Sequence, residues 1–279
     1  MDTPTQPSNG LGSQTWEYLS YIGVAALPPR TSPFDPGYDP LTVEHHLAQS
    51  AHLMSALKLS MACWQVANEE ATRRKISAAQ RCRVPVCTGG GPYEIASALG
   101  ALPQYLDLCA KLGVTRVEAG AGFTEQQLEP AEVVRMARSR GLEVQFEIGD
   151  KHAGAFTDET VQQLVDQGRR WLDAGAVKIV VEARESANDV GLFNARGEFN
   201  GRFAERLARA YGMEATVFEA PNKASQFALL THFGPDVQLG NVRLEELLRV
   251  EIYRRGLHSD AFRHQHLRPR GPAARKANG

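Results

Sequence analysis

Short apolar runs alternate with longer amphipathic segments between residues 22 and 254, and this alternation constrains the fold more than any other feature of the sequence. Short runs of this kind, separated by segments with apolar residues at helical spacing, are typical of βα units around a parallel sheet. Eight strands are predicted, at 22–27 (or a short run near Phe34), 56–59, 84–87, 115–119, 143–148, 177–183, 216–220 and 237–240.

The segments between these strands predict helices, and three of them end in a glycine that the next strand follows almost at once. A chain of 279 residues with about eight such units fits one (β/α)8 TIM barrel, an α/β fold in a single domain. No G-x-G-x-x-G motif follows the first strand, which disfavours a dinucleotide-binding open sheet. The helices are predicted at 43–53, 69–82, 103–112, 130–140, 158–174, 202–211, 225–233 and 244–254.

Both ends of the chain differ in composition from this repeating region. Residues 1–15 are rich in Pro, Ser, Gly, Thr and Gln, and residues 263–279 carry five Arg or Lys without apolar periodicity. We therefore expect two disordered tails, the second one basic, around a barrel that spans residues 16–262, and we expect neither tail to enter the core.

Composition limits the partners of the chain. The 31 basic and 32 acidic side chains leave no strong overall field, so nucleic acid is not expected as a partner. The apolar runs are too short to span a bilayer, and no signal peptide is recognisable. The four cysteines have no C-x-x-C spacing, which fits reduced thiols in a soluble, cytoplasmic protein. The oligomeric state stays open, with a homo-oligomer as one possibility.

Four consecutive predicted strands end in a glutamate, and the carboxyl ends of strands are where TIM barrels carry their active sites. Like charges gathered there repel one another, so the cluster requires a compensating cation. Hard oxygen ligands favour Mg²⁺ over Zn²⁺. The alternative is that one or two of the carboxylates point outward or pair with an arginine. The residues are Glu118, Glu147, Glu182 and Glu219.

Basic residues follow three of these glutamates within four positions, namely Lys151, Arg184 and Lys223. They predict a small anionic substrate held beside the metal. Lys178, by contrast, lies near the start of its strand and is expected to be a solvated charge on the opposite face of the barrel.

A run of three glycines after the third strand, Gly89, Gly90 and Gly91, would expose backbone N–H groups to a phosphate or carboxylate. Glycines that only supply a positive φ are the alternative. Asn241, at the end of the last strand, either donates to phosphate or caps the next helix.

Several segments together resemble the phosphosulfolactate synthase family. The resemblance covers roughly residues 30–262, and its most specific parts are the stretch from Val181 to Ser186 and the stretch from Phe218 to Asn241. Further matching positions are Gly89-Gly90, Tyr93-Glu94-Ile95-Ala96, Gly191-Leu192-Phe193 and Arg254-Arg255-Gly256-Leu257.

The resemblance implies a Mg²⁺-dependent lyase that adds sulfite to phosphoenolpyruvate, with the metal stabilising the enediolate that forms when the nucleophile attacks C3. The four glutamates and Arg184 fall on matching positions of the family pattern. Lys58 falls on a lysine of the second strand. Lys151 falls on one of two adjacent lysines, and we assign to it the delivery of a proton to C2.

The chain departs from the family pattern where that pattern is charged. Pro36 and Asp150 stand in place of lysines, and Gly120-Ala121 stands in place of Ser-Asp. A further change replaces Gly-Trp-Gly-Thr, after Lys58, by the residues from Ser60 to Cys63. Because two cations are lost, we predict poor turnover of phosphoenolpyruvate with sulfite and leave the nucleophile open.

Two other functions compete with this one. The first is a non-catalytic role, since the resemblance extends to plant heat-stress-associated proteins. The second is an aldolase that forms a Schiff base on Lys58 or Lys178.

Overall fold

Eight parallel strands form a closed barrel in chain order in the computed structural model, which describes residues 13–125 and 128–271. Each strand pairs with the next, and β8 pairs with β1. The predicted TIM barrel is therefore confirmed. The strands are β1 (Thr31–Asp35), β2 (Leu57–Leu59), β3 (Val86–Thr88), β4 (Arg116–Ala119), β5 (Glu143–Ile148), β6 (Lys178–Val181), β7 (Thr216–Glu219) and β8 (Gln238–Arg243).

Helices connect the strands and surround the barrel. Two short 3₁₀ helices at Ala51–Leu53 and Leu244–Glu246 continue or precede longer ones. The helices are α1 (Ser13–Tyr21), α2 (Pro40–Ser50), α3 (Cys63–Val66), α4 (Glu69–Arg81), α5 (Gly90–Ala98), α6 (Leu102–Leu112), α7 (Pro130–Arg138), α8 (Asp158–Ala174), α9 (Gly201–Tyr211), α10 (Lys223–Phe233), α11 (Leu247–Arg254) and α12 (Ser259–Phe262).

Helix α8 shows how the local sequence determines where a helix begins and ends. It has the predicted bounds, because the Thr157 hydroxyl accepts the N–H of Thr160 at its start and Gly175 adopts φ +105° at its end. Its apolar face packs on the sheet, where Trp171 stacks on Phe146 with ring centroids 4.3 Å apart.

The first strand is the run near Phe34, and the prediction of a strand at 22–27 is wrong. That apolar run instead ends helix α1, since Gly23 has φ +85° and the N–H of Val24 donates to the carbonyl of Leu19 at 2.9 Å. This is the capping geometry of a helix C-terminus, in which an apolar residue follows a left-handed glycine.

The inside of the barrel carries polar and charged residues at the positions that face the bore. The Gln145 amide donates to Glu118 at 2.7 Å, and Lys178 donates to Gln238 at 2.9 Å near the amino ends of the strands. Lys178 thus lies at the end of the barrel opposite the carboxyl ends of the strands, as predicted, but it is hydrogen-bonded inside the barrel rather than solvated. Barrels of this class more often fill the bore with branched apolar residues.

A buried ion pair within α11 also joins that helix to β1 and to the residue before β8. Arg254 is 1% exposed, and it donates to Glu251 at 3.1 Å, to the Thr31 hydroxyl at 3.0 Å and to the carbonyl of Val237 at 2.7 Å. Because these partners lie in α11, in β1 and just before β8, the guanidinium stabilises the junction of the first and last strands near their amino ends.

The segment after α12 also contributes to the core. Leu267 is buried, and the Leu267 carbonyl lies against Gly256, whose φ is +69°. The expectation that residues 263–279 stay out of the core is therefore wrong at this position, and helix α1 begins within the predicted first tail. The remaining tail residues, 1–12 and 272–279, lie outside the described part of the chain. Within that part, no helix is long and apolar enough to cross a membrane, and all four cysteines are unpaired, as predicted.

Candidate active site

Three of the predicted glutamates converge at the carboxyl ends of neighbouring strands. Glu147 lies in β5, Glu182 follows β6 directly, and Glu219 ends β7. One carboxylate oxygen from each lies within 4.8 Å of the others, and all three side chains are buried. The period of two along each strand places these carboxylates in the bore, so strand pairing alone brings them together.

Glu118 lies beside this group but has other partners. Its carboxylate accepts from the Gly90 N–H at 2.9 Å and from Gln145 at 2.7 Å, and Lys58 lies 2.7 Å away. Burial raises the pKa of Glu118 to about 7, against the opposing effect of Lys58. Glu118 thus lies outside the group of three whose oxygens lie within 4.8 Å of one another, and its shortest contacts are with Lys58 and Gln145.

Lys58 extends from β2 into the centre of the carboxylates. Its ammonium lies 2.7 Å from Glu118, 3.4 Å from Glu219 and 3.9 Å from Glu147. Burial acts to lower the pKa of Lys58, but the three carboxylates outweigh it and raise the pKa well above its ordinary value. A Schiff-base lysine must lose its proton to attack a carbonyl, so this environment disfavours the aldolase hypothesis for Lys58.

Lys151 provides a second cation at the edge of the group. It follows β5 and lies 3.1 Å from Glu147 and 3.4 Å from Glu182. Burial acts to lower the pKa of Lys151, whereas these two carboxylates raise it, and the net shift is upward. Lys151 therefore carries a positive charge where it borders the cavity.

The carboxylates outnumber the ammonium groups. Four buried carboxyls face Lys58 and Lys151, so with all four ionised two negative charges remain, which either protons or a further cation would neutralise. Burial and the neighbouring carboxylates raise the pKa of Glu219 and of Glu182, as expected for anions crowded together. In addition, Glu147 Oε1 and Glu182 Oε2 are buried, and each lies in an ion pair with Lys151, at 3.1 and 3.4 Å, without a well-aligned hydrogen bond. A hard divalent ion fits this set of oxygen donors in both charge and chemistry.

Arg184 borders the same cavity, although not in the predicted way. We expected an extended chain that would stack Arg184 above Glu182, but Arg184 adopts φ +54° and its N–H turns back to donate to the Glu182 carboxylate at 2.5 Å. The guanidinium is exposed and donates to the Lys151 carbonyl at 3.0 Å. It remains at the mouth, and no ion pair with Glu182 or Glu185 occupies it within the part of the chain that the structure describes.

The three glycines open helix α5 and line the cavity, and none of them has a positive φ. Two of their N–H groups are already used, since Gly89 donates to the Leu59 carbonyl and Gly90 donates to Glu118. The predicted anion contact can therefore involve only Gly91. Packing explains why residue 89 is a glycine, because a Cβ at this position would lie 3.0 Å from the backbone nitrogen of Met61.

Of the two remaining predicted anion-binding residues, only one lines the cavity. Asn241 lies in β8 and lines the cavity, where its amide donates to Glu219, so it does not cap a helix. Lys223 lies outside the cavity lining, 3.8 Å from Asp260 and over the ring of Phe227. The structure therefore brings Asn241 to the site and leaves Lys223 away from it.

Glu94 is a buried acidic residue that the sequence interpretation did not single out for a role. It lies on α5 with no exposed surface, and one oxygen accepts from the N–H of Phe123, the N–H of Thr124 and the Thr124 hydroxyl, each at 3.0 Å. Its carboxylate thus holds the loop after β4 against α5. An acidic residue on the otherwise apolar inner face of a short helix is the signal that could have identified it.

These groups surround one cavity of about 690 Å³ at the carboxyl end of the barrel. Size and position both fit a small-molecule site. Besides the residues already named, the cavity is lined by Phe34, Ser60, Met61, Ala62, Pro92, Ile95, Phe123, Glu185, Ser186 and Pro221.

Similar proteins identify the family. A family model described as (2R)-phospho-3-sulfolactate synthase matches residues 30–260. The phosphosulfolactate synthase of Methanocaldococcus jannaschii is 30% identical over 229 residues, which are 82% of this chain and 91% of that protein. The phosphosulfolactate synthase of Methanothermobacter thermautotrophicus is 27% identical over 233 residues, 83% of this chain and 90% of that protein.

Solved structures with the same fold are more distant in sequence. Deoxyribose phosphate aldolase from Aeropyrum pernix matches with a TM-score of 0.53 at 16% identity, over 87% of this chain and 98% of that one. 3-Dehydroquinate dehydratase from Geobacillus kaustophilus matches with a TM-score of 0.50 at 12% identity, over 81% and 91%. These likenesses support the barrel fold alone, whereas the family match covers the strands that carry the carboxylates, so the chain belongs to the phosphosulfolactate synthase family and is an enzyme of the lyase type.

Proposed function

We propose that this enzyme uses a magnesium ion to add a small nucleophile to phosphoenolpyruvate or a similar enol carboxylate. The observation that carries the proposal is the buried group of Glu147, Glu182 and Glu219, whose oxygens lie within 4.8 Å of one another at the mouth of a family barrel. The names of the relatives support a reaction that joins sulfur to a phosphorylated three-carbon acid.

The three carboxylates of this group would hold the ion, and Mg²⁺ fits them better than Zn²⁺ because every donor is a hard oxygen. When bound, the ion would stabilise the negative charge that develops on the substrate as an enediolate forms. Lys58 makes its shortest contact, at 2.7 Å, with Glu118, and it would share Glu219, 3.4 Å away, with the ion.

The residues of the chain then supply the proton and hold the anion. As the nucleophile forms a bond to C3, the C2–C3 double bond becomes a single bond and C2 takes up a proton. We assign that proton to Lys151 Nζ, which is charged and borders the cavity. Arg184 lies on the same rim and would hold a carboxylate or phosphate with two parallel hydrogen bonds.

Sulfite is the nucleophile that the relatives' name indicates, but we expect poor turnover with it here. Asp150 is exposed at the start of the loop that carries Lys151, where the family pattern has a lysine. A negative charge at this place opposes the binding of a second anion beside a phosphate ester. A related small nucleophile of lower charge would avoid this repulsion.

Calorimetry tests the proposal by titrating phosphoenolpyruvate into the protein with and without Mg²⁺. We expect binding that requires the metal, followed by consumption of phosphoenolpyruvate, seen by ³¹P NMR, when a suitable nucleophile is added. Absence of metal-dependent binding would refute the proposed substrate. Rapid formation of phosphosulfolactate from sulfite would confirm the reaction and refute only our expectation about sulfite.

The competing hypotheses receive less support. Membership of a family of synthases favours an enzyme over a non-catalytic stress-associated protein. The aldolase hypothesis stays testable by borohydride trapping with carbonyl compounds, for which we expect no covalent adduct. A cytoplasmic location and a homo-oligomer remain predictions.

A further inference from the structure

The cavity has two chemically different halves. The carboxyl ends of β5 to β7, the loops after β5 and β6, and strand β8 contribute charged and amide side chains, among them Lys151, Arg184 and Asn241. Met61 in the loop after β2, Ile95 in helix α5 and Phe123 in the loop after β4 contribute apolar side chains. A volume of about 690 Å³ is typical of sites for much larger ligands than a three-carbon enol phosphate, so the charged half alone accommodates that molecule.

The apolar half is exposed to an unusual degree for large side chains. Met61 is 54% exposed, Ile95 is 48% exposed and Phe123 is 49% exposed, although each lines the cavity. Exposed apolar surface costs free energy in water, and a contiguous patch rimmed by polar groups marks a place where an apolar group binds. Here all three line the same cavity as the groups that would hold the anionic part of the substrate.

This apolar wall is held in place. The N–H of Phe123 donates at 3.0 Å to Glu94, which is fully buried, and the Phe123 ring lies against the first turn of α5 at Gly91. Met61 adopts φ +50°, a conformation that non-glycine residues rarely keep unless the surrounding structure enforces it. The backbone is therefore constrained at both residues, and their side chains start from fixed positions on the cavity wall.

We propose that Met61, Ile95 and Phe123, here called the apolar subsite, bind an aliphatic or aryl group carried by one of the two substrates. The inference rests on the proposed function, because the charged half would hold the enol carboxylate and so direct the rest of the ligand toward this wall. The group lies either on C3 of the enol phosphate or on the nucleophile. In both cases the ligand has an anionic end and an apolar end.

Calorimetry on the Mg²⁺-loaded protein tests whether the apolar group lies on the enol phosphate. It compares the affinity for phosphoenolpyruvate with that for the enol phosphate of 2-oxohexanoate. Each buried methylene is expected to tighten binding about fourfold, so three added carbons predict roughly fiftyfold. Phe123→Ser and Ile95→Ser should each remove most of this difference and leave the affinity for phosphoenolpyruvate unchanged. Phe262→Ser is the matched control, because Phe262 is 53% exposed and does not line the cavity.

Whether the apolar group lies on the nucleophile is tested by titrating butanethiol and methanethiol into the protein saturated with Mg²⁺ and phosphoenolpyruvate. Tighter binding of butanethiol that Phe123→Ser abolishes would place the apolar group on the nucleophile. If neither longer ligand binds more tightly than its short counterpart, the apolar subsite is refuted while binding of phosphoenolpyruvate still supports the proposed function. If the longer enol phosphate binds and phosphoenolpyruvate does not, the subsite is supported and the proposed substrate is wrong.

Discussion

Replacement of Lys58 by methionine is expected to destabilise the protein in a pH-dependent way. Methionine keeps most of the length of the side chain but removes the ammonium that lies 2.7 Å from Glu118 and 3.4 Å from Glu219. Removing one partner of a buried ion pair costs about 3–5 kcal/mol, because the other partner is left charged without compensation. The variant can limit this cost only by binding an additional proton on a carboxylate.

The cost of that proton follows from linkage. A carboxyl group has a pKa of 4.5 in the unfolded chain. Keeping it protonated in the folded protein costs about 1.4 kcal/mol of stability for each pH unit above that value. This amounts to about 0.7 kcal/mol at pH 5 and about 4.8 kcal/mol at pH 8. Since the folded-state pKa is raised, the penalty is absent below the unfolded pKa and grows as the pH rises through the range between the two values. We therefore expect a loss of about 1 kcal/mol at pH 5 and about 3–5 kcal/mol at pH 8.

Thermal unfolding of chelator-treated protein measures this loss. With about 2–3 °C per kcal/mol for a domain of this size, Tm should fall by roughly 6–15 °C at pH 8 and by only about 2–3 °C at pH 5. Lys178→Met is the control, because Lys178 also faces the bore but forms no ion pair with a described carboxylate. An equal fall in Tm for Lys58→Met at both pH values would refute the electrostatic argument.

Two further substitutions test other parts of the structure. Arg184→Lys should weaken Mg²⁺-dependent binding of phosphoenolpyruvate roughly tenfold to hundredfold in calorimetry and shift Tm little, since lysine cannot copy a bidentate contact; unchanged affinity would remove Arg184 from the site. Arg254→Met should cost about 3–5 kcal/mol in urea unfolding, because Glu251 loses the more buried of its two arginine partners and the carbonyls of Pro235 and Val237 lose their donor. Burial acts to raise the pKa of Glu251, but Arg254 and Arg255 outweigh it and lower the pKa, so this stabilisation is full at neutral pH and is lost as the pH falls through the lowered pKa. An Arg254→Met variant as stable as the parent at pH 7 would contradict this role.

The barrel and its acidic group were predictable because both depend on local patterns. Each of Glu147, Glu182 and Glu219 follows a short apolar run directly, and parallel pairing brings the ends of such runs to one face. The first strand was less certain, since the runs at 22–27 and near Phe34 are both apolar, and only the left-handed turn at Gly23 assigns the first of them to a helix end.

The arrangement around the acidic group depends on contacts that are distant in sequence. The partners of Lys58 come from three other strands, and the loop that Glu94 holds begins nearly thirty residues further along the chain. Arg184 adopts a positive φ, although the sequence has no glycine at this position to indicate it. Leu267 is a single apolar residue in a polar segment, so its burial follows from tertiary packing that no periodicity indicates.

Calorimetric titration of Mg²⁺ into the parent protein and into Glu182→Gln tests the central claim most directly. The glutamine keeps the shape of the side chain but removes one charge from the group of three carboxylates. Glu143→Gln is the control, since Glu143 is exposed at the opposite end of β5. We predict that one Mg²⁺ binds to the parent and to the control with equal affinity, and that Glu182→Gln and Glu147→Gln each weaken binding by more than about tenfold. Equal affinity in all four proteins, or no binding to the parent, would contradict a metal site at the mouth of this barrel.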